Sequence, residues 1–251
     1  MKLHSENPTF LLKPGEVHVW MFDLDDPGQG FLVWEQSLSE EERDRSKQYK
    51  FEIDRQRFVA RRGLLRQLLG QYCRIAPGEI VYRTNRFGKL SLPSCPIRFN
   101  LSACQNRIAL AFTLEKKIGV DIEQVRSLPE LYRMAQEWFS VDESMEFFAL
   151  ATDKQLDAFY YTWNQKEAFV KAHGEGLSLP LQSFSVTVDP GLPGGILSIS
   201  DDVEGVSAWK MITAAPDSGW RVAVCVQAEA RQNIFWHAPI LAEFNPLLSI
   251  Q

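Results

Sequence analysis

Two apolar sequence patterns each occur twice in this chain, at nearly equal offsets. Residues 58–61 resemble residues 169–172, and residues 107–112 resemble residues 221–226. The first pair lies in segments with helical periodicity, and the second pair lies in segments that are typical of strands. Recurrence of a helix and a strand at one spacing predicts an α+β fold, built as a pseudo-two-fold duplication of two similar lobes. We expect the active site at the interface between the lobes.

Helix and strand signals follow the same order in both halves. Ser39 followed by three glutamates predicts a helix start, and a second helix over residues 54–69 precedes several strands. In the second half, helical patterns over residues 128–150 and 157–172 again precede strands. The predicted divisions are an N-terminal lobe (1–116), a C-terminal lobe (117–228) and a tail that packs back on the body (229–251).

The composition indicates a soluble globular protein, with 45% hydrophobic and 24% charged residues. The formal net charge of −5 argues against a nucleic-acid partner. No apolar stretch approaches the roughly 20 residues that a membrane-spanning helix needs, and the first residues lack the pattern of a signal peptide. We therefore expect a cytoplasmic protein without a membrane partner. The cysteines form no C-x-x-C pair and are expected to be reduced.

Two segments carry acidic residues at spacings that place their side chains on one face of a strand or a helix. Asp121 and Glu123 are two apart in an apolar strand-like segment, so both carboxylates leave the same face. Glu167 and Lys171 are four apart in a helical segment and share its face. Three carboxylates suit a hard cation such as Mg²⁺ together with a phosphate-bearing substrate. Solvated acids at a strand edge and an ordinary helix ion pair would account for the same residues.

Further motifs accompany these acids. The segments are FGK (87–89), FNLS (99–102), IGVDIE (118–123), WNQKEAFVK (163–171) and GEGLSLPL (174–181). Together they resemble the 4′-phosphopantetheinyl transferases, and specifically the larger, two-lobed Sfp-type class, over about residues 39–226. The resemblance implies a monomeric enzyme that moves 4′-phosphopantetheine from coenzyme A to a serine of an apo acyl or peptidyl carrier protein. The other product is 3′,5′-ADP, and the implied cofactor is Mg²⁺.

The resemblance also implies roles for individual residues. Asp121, Glu123 and Glu167 would hold Mg²⁺. Glu167 would also take the proton of the carrier serine, directly or through water, and Lys171 would offset charge on the pyrophosphate. The residues expected to contact coenzyme A are Arg45 and Arg62 at the 3′-phosphate and adenosine end, Lys89 at a phosphate, Ser102 through its backbone or hydroxyl, and Lys171.

The sequence departs from the family pattern at Ala103, where this class usually has a histidine that contacts the 3′-phosphate. Alanine offers no donor and no charge, so we expect weaker coenzyme A binding. Two alternatives stay open: a carrier-binding protein that has lost turnover, and a Mg²⁺-dependent pyrophosphohydrolase of coenzyme A. The apolar residues of segment 128–150 are candidates for carrier docking.

Overall fold

Two β-sheets pack face to face at the centre of the molecule, and a 22-residue helix covers the outer face of each. The computed structural model describes residues 10–25, 30–200, 205–227 and 233–237. The helices are α1 (Gly30–Ser37), α2 (Glu40–Lys47), α3 (Glu52–Cys73), α4 (Leu131–Trp138), α5 (Val141–Ala149) and α6 (Thr152–His173). The strands are β1 (Glu16–Asp23), β2 (Arg83–Thr84), β3 (Leu90–Ser91), β4 (Ile97–Cys104), β5 (Arg107–Leu114), β6 (Ile118–Gln124), β7 (Phe184–Val186), β8 (Ile196–Ile199), β9 (Trp209–Ala214), β10 (Trp220–Gln227) and β11 (Asn233–His237).

The two halves have the same connectivity. In the first, β1 is followed by α1–α3 and then by the β4–β5 hairpin, and the sheet order is β11-β1-β5-β4. In the second, β6 is followed by α4–α6 and then by the β9–β10 hairpin, and the sheet order is β6-β10-β9. The central strands β5 and β10 carry the repeated sequence pattern, as do α3 and α6. The α+β class is confirmed, and the shared order supports the predicted duplication, which stays a prediction.

Apolar alternation along the strands forms the core between the sheets. Ile118, Val120 and Ile122 of β6 pack against residues of β1 and β5 in one buried cluster. Each such fully buried side chain stabilises the fold by about 1.5–3 kcal/mol. Alternate β6 residues must therefore face away from this core, towards α6. This alternation brings the acidic positions of β6 to the helix.

Several helix boundaries follow from capping. Ser39 accepts a hydrogen bond from the Glu42 amide, which completes a capping box at α2 as predicted. Ser140 and Glu143 form a second capping box, which begins α5 and separates it from α4 within the predicted helical region. The short helix α1 is an addition to the elements that periodicity predicted. Within the described residues, no helix is long and apolar enough to cross a membrane.

The expectation of four reduced cysteines is wrong for one pair. Cys73, the last residue of α3, is bonded to Cys95 in the loop before β4, with the Cα atoms 5.9 Å apart. Both residues belong to or pack against the core beneath α3, so the fold brings together two cysteines that are distant in sequence. Cys104 and Cys225 are free.

The predicted tail is described only in part. Residues of β11 pair in parallel with β1, for example Ile234 with Val17, and residues 238–251 lie outside the described residues. The division into lobes at residue 117 and the assignment of the tail stay predictions.

Candidate active site

Strand β6 lies so close to α6 that no side chain fits between them at Gly119. A Cβ built on Gly119 would lie 2.1 Å from the Ala168 carbonyl oxygen and 2.3 Å from the Ala172 nitrogen. Both separations are shorter than any real Cβ contact, so only glycine fits at this position. Two residues on from Gly119, Asp121 reaches the same helix face. The glycine of the IGVDIE motif thus sets the spacing between strand and helix.

Three elements contribute to one polar network. The Lys171 ammonium on α6 donates to Asp121 Oδ1 at 2.5 Å and to Ser102 Oγ on β4 at 3.0 Å. The Ser102 hydroxyl in turn donates to Asp121 Oδ1 at 2.8 Å. Sequence analysis assigned each of these three residues to a site, and the structure brings them together where β4, β6 and α6 meet.

Strand β4 supports the network from the other side. Asn100 Oδ1 accepts a hydrogen bond from the Val120 amide at 2.9 Å, which ties β4 to β6. Asn100, Ser102 and Cys104 alternate along β4, and the Cys104 thiol hydrogen-bonds Glu123. Sequence reasoning missed Asn100 and Cys104 as supporting residues. The period-two spacing of the three polar side chains was the available signal.

Glu167 lies beside a cleft of about 240 Å³, whose lining also includes Phe87, Lys89, Asn100, Leu101, Val170 and Lys171. Burial raises the pKa of the Glu167 carboxyl, Lys171 opposes the rise, and the charges of Asp121 and Glu123 add to it. Burial likewise raises the pKa of Glu123, the Cys104 thiol opposes the rise, and the charge of Asp121 adds to it. The carboxylates are therefore close enough to repel one another, with Lys171 as a nearby compensating cation.

The carboxylates match the donor chemistry of Mg²⁺ without forming a closed cage. Across the described residues, no three His, Cys, Asp or Glu side chains are grouped closely enough to hold a metal ion. However, Asp121 Oδ2 is buried and has no hydrogen-bond partner in the described part of the chain. Mg²⁺ is usually held by one or two carboxylates, with substrate phosphates and waters completing the shell. The unpaired oxygen and the mutual repulsion of the acids fit such a site.

Arg45 on α2 and Arg62 on α3, both predicted to bind coenzyme A, lie over the same aromatic ring. The guanidinium carbons of Arg45 and Arg62 each lie 5.7 Å from the centroid of the Phe58 ring. Arg62 also lies 3.9 Å from Glu42. Ala103 packs against the core beneath α3, on the opposite side of β4 from Ser102. The pair of arginines forms a basic surface on the α2–α3 side of the first half.

Lys89, which is predicted to contact a phosphate, donates to backbone carbonyl groups in this structure. Its ammonium donates to three backbone carbonyl oxygens: Ile118 at 3.0 Å, Lys171 at 2.5 Å and Ala172 at 3.1 Å. Burial, with a contribution from the charge of Lys117, lowers the pKa of Lys89 to about 8. An ammonium has three N–H donors, so all of them are used.

Comparison with known proteins identifies the family. Residues 117–225 match the model of the 4′-phosphopantetheinyl transferase superfamily. HetI of Nostoc sp., a 4′-phosphopantetheinyl transferase, is 30% identical over 234 residues, which cover 92% of this chain and 95% of HetI. The 4′-phosphopantetheinyl transferase Sfp of Bacillus subtilis is 32% identical over 189 residues, covering 75% of this chain and 81% of Sfp. The holo-[acyl-carrier-protein] synthase of Thermotoga maritima aligns with a TM-score of 0.36 at 18% identity, over 45% of this chain and 64% of that one.

The HetI match extends over nearly the whole of both chains, and the family model covers the segment that carries Asp121, Glu123, Glu167 and Lys171. The chain therefore belongs to the 4′-phosphopantetheinyl transferases and is an enzyme of that class.

Proposed function

We propose that this enzyme transfers 4′-phosphopantetheine from coenzyme A to a serine of an apo carrier protein, acting as a monomer and releasing 3′,5′-ADP. The observation that carries the proposal is the meeting of Lys171, Ser102 and Asp121 beside the cleft that Glu167 lines. A cation, a buried carboxylate and a carboxylate with a raised pKa are the groups that attack on a pyrophosphate requires.

The chemical step is a displacement at the β-phosphorus of coenzyme A. The serine oxygen forms a bond to that phosphorus, and the bond to the oxygen that bridges the two phosphates breaks. The leaving electron pair stays on 3′,5′-ADP, and the serine proton passes to Glu167. Lys171 places a positive charge next to the phosphates, where negative charge increases during the reaction.

Asp121, Glu123 and Glu167 are the candidate ligands, of which one or two would hold Mg²⁺ together with substrate phosphates and water. When bound, the ion supplies positive charge that stabilises the pyrophosphate oxygens. Ser102 and Lys171 keep Asp121 Oδ1 in place, while Asp121 Oδ2 is free to bind a cation. The basic surface of Arg45 and Arg62 is the candidate site for the 3′-phosphate and adenosine of coenzyme A.

Carrier docking is assigned to the surface of α4 and α5. A shallow groove of about 580 Å³ is lined by Phe139, Val141, Met145 and Phe148 among others. Tyr132, Val141, Met145 and Phe148 are exposed, whereas Phe139, predicted for this surface, is buried. Changing Met145 to Glu should raise the KM for the carrier and leave the KM for coenzyme A unchanged. Equal KM values for the carrier in both proteins would contradict this assignment.

The function is tested by incubating the protein with coenzyme A, Mg²⁺ and an apo carrier protein, followed by intact-mass measurement of the carrier. We expect the carrier to gain one phosphopantetheine arm, and the matched Glu167→Gln variant to modify it at least about 10²-fold more slowly. Release of 3′,5′-ADP without a carrier would identify a pyrophosphohydrolase instead. Carrier binding without a mass gain would identify a non-catalytic binding protein.

A further inference from the structure

The C-terminal end of α6 is covered by a loop from the other half of the molecule. The last carbonyl groups of any helix lack partners within the helix. Here α6 ends at His173, and Gly174 follows in the left-handed conformation with φ of 88°. Gly174 pairs its own amide with the Val170 carbonyl. The carbonyl groups of Lys171, Ala172 and Gly174 instead accept from residues of the loop 85–89.

Two side chains of this loop make the contacts. Lys89 donates to the carbonyl groups of Lys171 and Ala172 on α6, and also to Ile118 at the start of β6. Asn85 Nδ2 donates to the Gly174 carbonyl at 2.8 Å. A cation at a helix C-terminus also interacts favourably with the helix dipole. The loop thus holds the helix end and β6 together.

The loop is preorganised for these contacts. Asn85 Oδ1 accepts from the amides of Phe87 and Lys89, each at 2.9 Å. The Gly88 amide donates to the Asn85 carbonyl, and Gly88 has φ of 84°, a left-handed conformation that glycine adopts at no steric cost. Asn85 therefore both builds the turn and contacts α6. Local turn residues fix the position of Lys89 before it meets the helix.

We propose that Lys89 and Asn85 form a clamp that caps α6 across the two halves and positions Lys171, so that Lys89 is a positioning residue and not a phosphate ligand. The proposed role of Lys171 in the transfer reaction is the part of this inference that rests on the proposed function. Moving the Lys89 ammonium to a phosphate would remove its hydrogen bonds to three carbonyl groups. Small displacements of a group that neutralises a transition state reduce the rate strongly.

The clamp is tested first by hydrogen exchange at the Gly174 amide, with residues 156–160 of α6 as an internal reference. Lys89→Met removes all three donors, and Lys89→Arg keeps the charge in a group too large and planar for the same three carbonyls. We expect exchange at Gly174 to accelerate at least about tenfold in both variants. Lys116→Met, which removes the same charge from an exposed turn, should leave the exchange rate unchanged.

Kinetics separate positioning from phosphate binding. The clamp predicts that Lys89→Met and Lys89→Arg both lower kcat by about tenfold. It also predicts that both change the Kd for coenzyme A by less than about threefold. A phosphate ligand predicts the opposite: Lys89→Met raises that Kd by tenfold or more, and Lys89→Arg largely restores it, because arginine also binds phosphates. That result, together with unchanged exchange at Gly174, would overturn the proposal.

Asn85→Asp provides a second test that leaves Lys89 in place. The carboxylate retains an acceptor for the loop amides, but it has no donor for the Gly174 carbonyl and places a negative charge at the helix C-terminus. Exchange at Gly174 should accelerate, and unchanged exchange would contradict the clamp. Exchange needs neither coenzyme A nor a carrier. If the wild-type protein fails to transfer phosphopantetheine, the proposed function is contradicted, but the exchange results still test the clamp.

Discussion

Helix α6 carries two lysine–carboxylate pairs of nearly equal length in opposite surroundings. Lys166 and Glu143 are 2.6 Å apart, with 0% and 1% of their side chains exposed. Lys171 and Asp121 are 2.5 Å apart, with 27% and 3% exposed. The first pair is closed to solvent, whereas the second opens on the cleft beside Glu167. The difference in burial thus distinguishes an ion pair that stabilises the fold from one that is accessible to a ligand in the cleft.

Hydrogen bonding separates the two pairs further. Lys166 donates to both Glu143 oxygens and to the Phe184 carbonyl, and Glu143 also accepts from the amides of Ser140 and Val186. Both oxygens of that carboxylate are therefore satisfied. Asp121, in contrast, keeps one buried oxygen without a partner among the described residues. An unsatisfied acceptor next to a partly exposed cation suits a ligand site, and a fully satisfied pair suits a stable helix contact.

The largest effect on stability is expected at the buried pair. Lys166→Met leaves the Glu143 charge buried and uncompensated, which should lower the free energy of unfolding by about 3–5 kcal/mol. Urea unfolding measures this loss. The double variant Lys166→Met/Glu143→Leu should recover most of it, because burying two apolar groups removes the unpaired charge. A single variant as stable as the wild type would show that the pair does not hold α5 against α6.

The Lys171–Asp121 pair, which opens on the cleft, should affect catalysis more than stability. Lys171→Met should lower kcat by about 10²–10³-fold, because it removes a charge that stabilises the transition state. Its free energy of unfolding should fall by less than that of Lys166→Met, because Lys171 is partly exposed and Ser102 still donates to Asp121. Steady-state transfer assays and urea unfolding on the same preparation measure both quantities. A variant that loses stability but retains kcat would place Lys171 with Lys166 as a structural residue.

The sequence predicts the directions of the site residues but not all of their partners. Period two along β6 and period 3.6 along α6 place four residues on facing surfaces, because local geometry alone decides those directions: Asp121, Glu123, Glu167 and Lys171. The partners of Lys89 are backbone carbonyl groups far away in the chain, and backbone acceptors leave no trace in residue types. The Cys73–Cys95 bond likewise depends on how the end of α3 meets the loop before β4.

Some features that prediction missed did have a local signal. Ser140 and Glu143 have the spacing of a capping box, which would have divided the helical region 128–150 into α4 and α5. Helical periodicity directs Lys166 to a different side of α6 from Glu167 and Lys171, but nothing local in the sequence identifies Glu143 as its partner. Gly119 allows α6 to approach β6 closely, and Lys171 on the approaching face reaches Asp121.

A smaller effect is expected from the burial of the Glu123 carboxyl. Because burial raises the pKa of Glu123, the folded protein holds that proton to a higher pH than the unfolded chain does. Stability therefore falls as pH rises through the interval that begins at the unfolded value near 4.5. Glu123→Gln should reduce this fall by less than about 1 kcal/mol without divalent cations.

Urea unfolding between pH 4 and pH 7.5 measures the change, and Glu146→Gln on the exposed face of α5 is the matched control. Added Mg²⁺ should stabilise the wild type more than Glu123→Gln, because ligand binding stabilises the folded state. An identical response to Mg²⁺ in both proteins would remove Glu123 from the cation site.

The smallest effect is expected at Ala103, outside both ion pairs. Ala103→His should lower the KM for coenzyme A several-fold by adding a charge-assisted donor, with kcat little changed. Ala103→Leu adds bulk without a donor and controls for packing beneath α3. An unchanged KM in the histidine variant would show that this position does not contact the 3′-phosphate.

The central claim is that α6 presents Glu167 for chemistry while Lys166 locks the helix in place. Single-turnover phosphopantetheine transfer to an apo carrier by Glu167→Gln, at the same folded fraction as the wild type, tests this claim most directly. The account predicts a rate lower by about 10²-fold or more, because proton acceptance and charge at the pyrophosphate are both lost. A rate equal to that of the wild type would contradict it.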